Sequence, residues 1–190
     1  IDRIQNSGAR FDEVKILWYN GQWIRKIADE QGIDALFART TGFWPDSATS
    51  EPDDYKKQVL SIIYDRLKTL SDLRTMTSYF FVDPVIDLGL LTDNKFLKKY
   101  SETELVNLLT VVIERLNDVS ETDWTAENLQ DILNQLLEQT GKKPAELFSL
   151  IRIALSYAPF SPALHLTMST LGQNTTLARL NATRTALTNN

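Results

Sequence analysis

Two arginines and a proline-framed serine are the residues whose types and spacing could do chemistry in this sequence. In the stretch Lys143 to Gly172, the residues Leu147, Leu150, Ile151, Ala154 and Leu155 recur at helical spacing and form one apolar stripe. That periodicity sets Ser149, Arg152 and Ser156 on the opposite side, so Arg152 is expected to face solvent or a partner. Pro144 suits the first position of this helix. Pro159, Ser161 and Pro162 stiffen the turn that follows, with Ser161 expected as an N-cap and Pro162 at the first position of the next helix. Gly172 is expected to close that helix. The second arginine is Arg66. It falls inside the arc formed by Val59, Ile62, Ile63, Leu67 and Leu70 on a helix expected over Tyr55–Leu70. A buried, unpaired guanidinium is costly, so either the helix ends or turns just before Arg66 or the group has a designated partner. Guanidinium groups only donate hydrogen bonds. The chemistry on offer is recognition of acceptors, and the alternative is ordinary helix-pair architecture.

Other chemistry is thinly represented. The 190 residues contain no cysteine and one histidine, which removes disulfides and thiolate metal sites and disfavours a histidine metal site or a Ser–His triad. No glycine-rich phosphate loop occurs, and no paired carboxylates sit in an apolar patch. Asp53 and Asp54 read as charges at a helix N-terminus rather than metal ligands. His165 reads as a partly buried packing residue, with contact to a base or phosphate as the other reading. Trp18, Trp23, Trp44 and Trp124 read as core or interface anchors rather than stacking platforms. No catalytic residue, metal ligand or cofactor site is assigned.

With 43% hydrophobic residues, the chain can bury a real core. No apolar run approaches the length of a membrane span. The first residue, Ile1, has no charged-then-apolar leader before it, and a piece of a longer protein is expected. The sequons at Asn174 and Asn181 are taken as chance matches. The formal net charge is −5, which does not favour nucleic acid, but it is unevenly spread. Residues 85–140 carry 4 Lys/Arg against 11 Asp/Glu, whereas residues 55–82 carry 5 against 2 and residues 141–190 carry 5 against 1. Two basic segments flank an acidic one, a pattern compatible with an anion-binding face or with solvated helix surfaces.

The elements that must position these groups are helices throughout. Phe11–Ile27 is expected as a helix with Val14, Leu17, Trp18 and Ile24 in the core and a bend at Asn20-Gly21. A shorter helix follows Gly32, and Gly42–Asp54 reads as a loop. Asp83-Pro84 stops the helix that begins at Ser71 and passes through Tyr79, Phe80 and Phe81. Ser101 and Glu104 form a capping-box pair ahead of Leu105, Leu108, Leu109, Val112 and Leu116. Thr125 caps a helix with Leu129, Ile132, Leu133, Leu136 and Leu137, ending near Gly141. A last helix carries Leu177, Arg179, Leu180 and Arg184. The fold class is all-α, in two consecutive helical-bundle subdomains, residues 1–84 and 85–190.

The stretch Phe11 to Ile24, FDEVKILWYNGQWI, with Ser7-Gly8-Ala9-Arg10 before it, resembles bacterial-type glutamyl-tRNA synthetases where the stem-contact region passes into the anticodon-binding region. Tyr55 to Phe81 is a second match. Lys143 to Gly172 is a third, with Trp124-Thr125 upstream and residues through Leu180 downstream. The matches run in order along nearly the whole chain. The His-Ile-Gly-His and Lys-Met-Ser-Lys-Ser types of catalytic signature are absent. The resemblance therefore implies the C-terminal part of a class I synthetase, with ATP and magnesium bound by a catalytic domain outside this chain.

Several contacts follow from the resemblance. Arg66 matches an arginine facing the last anticodon base in members that reject glutamine tRNA, and Arg152 matches one near the first base. Ser161, Pro162 and Leu164 match a turn that holds the first and middle bases. Ala163 stands where a glycine is common, and Asp65 where some members carry a proline. Lys56, Lys57, Lys142 and Lys143 are expected to touch backbone phosphates. The implied partner is the anticodon loop of tRNA(Glu), bound by a monomer in the bacterial cytoplasm or an organellar matrix or stroma. A non-catalytic helical module that binds another protein through its charged faces is the alternative.

Overall fold

The computed structural model describes residues 12–158 and 161–189, and among them every regular element is helical. The expectations for Ser7–Arg10, Phe11 and Pro159 lie outside those residues. Ten α-helices succeed one another: α1 (Glu13–Gln31), α2 (Ile33–Phe37), α3 (Asp53–Ile63), α4 (Asp72–Met76), α5 (Gly89–Thr92), α6 (Glu102–Asn117), α7 (Ala126–Thr140), α8 (Pro144–Ser156), α9 (Leu164–Leu171) and α10 (Gln173–Thr188). Among the described residues no helix is long and apolar enough to cross a membrane.

The helix boundaries follow from local chemistry. Ser101 accepts from the Glu104 amide while the Glu104 carboxylate accepts from the Ser101 amide, so two of the orphan donors of α6 are satisfied reciprocally. Thr125 caps α7, and Gly141 closes it in the left-handed conformation at φ 63°. Pro144 opens α8, and Gly172 ends α9 with its amide on the Met168 carbonyl. Asp53 and Asp54 occupy the first turn of α3.

Two apolar clusters hold the chain together. The smaller one packs Ile24 of α1, Leu36 of α2, Leu60 and Ile63 of α3, and Leu67 and Leu73 beyond it. The larger one is built on α6 to α10 and also takes in Val59, Tyr79 and Phe80 from before Pro84. Helix α3 thus presents Val59 to one cluster and Leu60 and Ile63 to the other. Trp44 touches both, its ring 6.2 Å from Phe37 and 5.8 Å edge-on from Phe81.

Three expectations are corrected. The first helix runs unbroken through Asn20-Gly21. Its early apolar residues are outside the core, with Val14 78% and Trp18 55% exposed, whereas its later turns carry the buried Gly21 and Ile24, against Leu67 beyond α3 and in one cluster with Leu36 of α2. The helix expected to Leu70 stops at Ile63, and one 3-10 turn, Tyr64–Arg66, carries the chain into extended Leu67. Helix α8 is buried nearly all round, so Ser156, expected outside, is buried with its hydroxyl donating to the Arg152 carbonyl at 2.9 Å.

Candidate nucleic-acid interface

Arg66 gets its place from the turn that ends α3. The 3-10 geometry takes it off the apolar arc, leaving its side chain 42% exposed, with Asp65 at 3.9 Å as its one ion-pair partner among the described residues. Helix α1 holds that turn from below. Arg25 donates to the Asp65 carbonyl and Asn20 to the Lys68 carbonyl, while Gly21 lies so close that a Cβ there would stand 3.0 Å from the Leu67 oxygen. On the far side the Asp72 carboxylate accepts from the Lys68 and Thr69 amides at 2.8 and 2.9 Å. The loop carrying Arg66 is pinned on both flanks.

Arg152 sits in the penultimate turn of α8, half-buried rather than fully offered to solvent. Its Nε donates to the Ser161 hydroxyl at 2.8 Å, and that hydroxyl donates to the Pro162 carbonyl at 3.1 Å. This corrects the expected role of Ser161. Helix α9 begins at Leu164 with Ala163 as its N-cap, so Ser161 lies outside the helix and tethers an arginine instead. Pro162 likewise precedes the helix, and the Leu164 side chain is buried in the core. The turn is possible because Tyr157 ends α8 in the left-handed conformation, φ 42°, with its hydroxyl 2.6 Å from that of Thr183. A non-glycine residue there costs about 1–2 kcal/mol, which the hydrogen bond and the half-buried ring help to offset.

Both arginines act on Tyr79, which is buried to 2% exposure. Burial pushes its phenol pKa up, and the charges of Arg66, Arg152 and Arg179 pull the other way. The Thr167 side chain also favours the ionised phenol, yet no hydrogen bond of ordinary geometry forms, and the Tyr79 hydroxyl is unpartnered among the described residues. Burial lowers the Arg152 pKa, and the Arg66 charge lowers it further. Two like charges share this region, and no carboxylate pairs with Arg152 among the described residues. Such a place suits a ligand rich in acceptors.

The structure brings Arg66, Arg152, Ser161 and Pro162 into one neighbourhood, but not the four lysines. Lys56 pairs with Asp53 at 2.8 Å and Lys57 with Asp34 at 2.6 Å, both early in α3. Lys142 lies 4.6 Å from the centre of the Tyr100 ring. Lys143 precedes α8, whose far end carries Arg152 about 13 Å further along the axis. His165 is half-buried on α9. Among the described residues no three His, Cys, Asp or Glu side chains are grouped to hold a metal.

A family model described as anticodon binding domain matches residues 24–184. The chain belongs to the anticodon-binding domain family. Members bind tRNA, and the arginine neighbourhood lies within the matched region. The glutamate–tRNA ligase of Roseiflexus sp. (strain RS-1) is 34% identical over 99% of this chain and 37% of its own length. That of Chloroflexus aurantiacus is 31% identical over 100% of this chain and 38% of its own. The chain thus spans little more than a third of those relatives. The crystal structure of a glutamate tRNA ligase from Elizabethkingia meningosepticum, in complex with its amino acid, superposes with a TM-score of 0.74 at 21% identity, covering 95% of this chain and 34% of that one. The all-α anticodon-binding fold is shared with it.

Within this anticodon-binding domain, sequence reasoning passed over Tyr79 and Arg179. Tyr79 stood in an aromatic run that signalled only packing. Arg179 is buried on α10, donating to Asp83 at 3.0 Å, to the Leu155 carbonyl at 2.9 Å and to the Val82 carbonyl at 3.4 Å. An arginine one place before the core residue Leu180 was the available signal.

Proposed function

We propose that this chain is the anticodon-reading part of a glutamate–tRNA ligase. The observation that carries the reading is the convergence of Arg66 and Arg152 near the Ser161–Pro162 turn, with no carboxylate among the described residues that neutralises Arg152. Proteins that read RNA loops splay unpaired bases and bond their Watson–Crick edges, often with arginine. In this reading Arg66 takes the last anticodon base of tRNA(Glu) and Arg152 the first. Ser161, Pro162 and Leu164 hold the first and middle bases, with Leu164 acting through its backbone amide at the start of α9 rather than its buried side chain. Lys56, Lys57, Lys142 and Lys143 contribute phosphate contacts around the site, outside the arginine cluster. ATP and magnesium belong to the ligase's catalytic part. The chain acts as a monomer, in the bacterial cytoplasm or an organelle.

Filter binding tests it, with tRNA(Glu) and the same tRNA carrying three changed anticodon bases, each at two salt concentrations. A base contact of this type is worth about 1–3 kcal/mol, so the changed tRNA should bind at least about tenfold more weakly at both salts. Equal binding of the two tRNAs, or none, would overturn the reading.

A further inference from the structure

Arg152 also borders a cleft of about 420 Å³ between α8 and the α5 region, lined besides by Asp87, Asp93, Asn94, Leu90 and Ile153. That volume suits a nucleoside-sized ligand. Its walls carry unused hydrogen-bonding groups of both kinds. Arg152 commits Nε to Ser161, which leaves its terminal nitrogens as donors. Asp87 accepts from the Gly89 amide through Oδ1, which leaves Oδ2 as an acceptor. Asn94 accepts from the Phe96 amide through its oxygen, which leaves its NH2 group. The Asp93 side chain has no hydrogen bond or ion pair among the described residues, and neither aspartate pairs with Arg152 there. Cation and carboxylates therefore line one cleft without neutralising each other.

The carboxylates decide what fits. A phosphate would satisfy Arg152 and be repelled by Asp87 and Asp93. A pyrimidine presents a donor beside an acceptor on its Watson–Crick edge: N3–H beside O2 or O4 in uracil, the N4 amino group beside N3 in cytosine. Leu90 and Ile153 supply apolar surface for its ring. We propose that this cleft is a pyrimidine pocket, in which Arg152 donates to a ring acceptor while Asp87 and Asp93 accept the adjacent donor and so determine specificity. This rests on the anticodon reading above, which sets the first base beside Arg152, and adds an acidic wall to it. It also gives a use to part of the acidic segment, residues 85–140.

The test uses this chain and an anticodon stem-loop RNA with uridine at the first anticodon position, against the same RNA carrying N3-methyluridine there. The methyl group removes the donor and keeps both carbonyls. The wild-type chain should lose roughly tenfold in affinity on methylation. The variant to compare is Asp87→Asn with Asp93→Asn, which keeps the Oδ1 contact to Gly89 and removes both charges. Both positions are exposed, so its thermal melt should match that of the wild type. In the variant the methylation penalty should shrink to less than about threefold. A penalty unchanged in the variant, or none in the wild type, overturns the acidic wall and leaves the anticodon reading standing. Tighter binding of both RNAs by the variant, in equal measure, identifies a phosphate as the occupant and also overturns it. Failure of the wild-type chain to bind either RNA overturns the anticodon reading, and the pocket with it.

Discussion

The Nε of Arg152 donates to the Ser161 hydroxyl at 2.8 Å, so a residue of α8 is tied to the turn that leads into α9. The tether aims a charged group that otherwise has water as its alternative. Ser161→Ala should therefore cost only about 0.5–1.5 kcal/mol of stability, with a drop of a few degrees in melting temperature. Affinity for tRNA should fall by a larger factor than folding stability does, because Arg152 loses its direction. Thermal melts and binding isotherms of the variant, run side by side, decide it; a destabilised variant with unchanged affinity would make the contact purely structural.

Arg179 and Asp83 form an unequal pair. The arginine side chain is 8% exposed and the aspartate 83%, so solvent replaces one partner easily and the other not at all. Arg179 also satisfies the Leu155 and Val82 carbonyls, joining α10 to the end of α8 and the segment after α4. Asp83→Asn should cost less than about 1 kcal/mol. Arg179→Met should cost about 3 kcal/mol, since buried acceptors lose their donor. Urea unfolding of both variants measures this, and equal costs would mean that the ion pair, not the burial, matters.

Glu146 supplies a pH dependence. Lys99 first, and then the Lys143 amide, hold its carboxyl down at about 2 against an ordinary value of 4.5. A carboxyl whose folded pKa is depressed contributes stability above its unfolded pKa and loses it as pH falls through the folded one. Stability should therefore decline between about pH 4.5 and pH 2, and Glu146→Gln should flatten that part of the curve. Parallel denaturation profiles for the two proteins across this window would show that the pair contributes nothing to acid stability.

Much of the fold was legible because its signals are local. Ser101 with Glu104, Thr125, Gly141, Pro144 and Gly172 each mark a helix end within a few residues, and each sits where the pattern set it. Arg66 was legible as a residue out of place, and the 3-10 turn explains why. The sequence misled where tertiary partners decide the outcome. Periodicity shows that Val14 and Trp18 could face a core but not that one is present. Ser161 has the chemistry of a cap, and only the fold shows that it bonds Arg152 instead. Tyr79, Asp87 and Asp93 come near Arg152 from distant parts of the chain, and no spacing rule reaches that far.

Gly21 joins the first helix to the Arg66 turn. Alanine there would gain about 1 kcal/mol in helix propensity. Its Cβ, however, would press on the Leu67 carbonyl at 3.0 Å, a backbone atom that cannot move without its turn. Gly21→Ala should be net destabilising by about 1 kcal/mol and should weaken tRNA binding by displacing Arg66. A more stable variant with full binding would contradict the pinning of that turn by α1.

The most direct measurement compares two tRNAs that differ only in the last anticodon base, C as in glutamate tRNA or G as in glutamine tRNA. Cytosine offers two adjacent acceptors, N3 and O2, and guanine offers donors, N1–H and N2–H. Arg66, with donors alone, should bond the first and meet the second donor to donor. The wild-type chain should prefer C by about 5- to 150-fold, and Arg66→Gln, whose amide both donates and accepts, should narrow that preference by a similar factor. A preference that stays the same in the variant would contradict the account, leaving Arg66 as a residue exposed by a turn rather than the reader of that base.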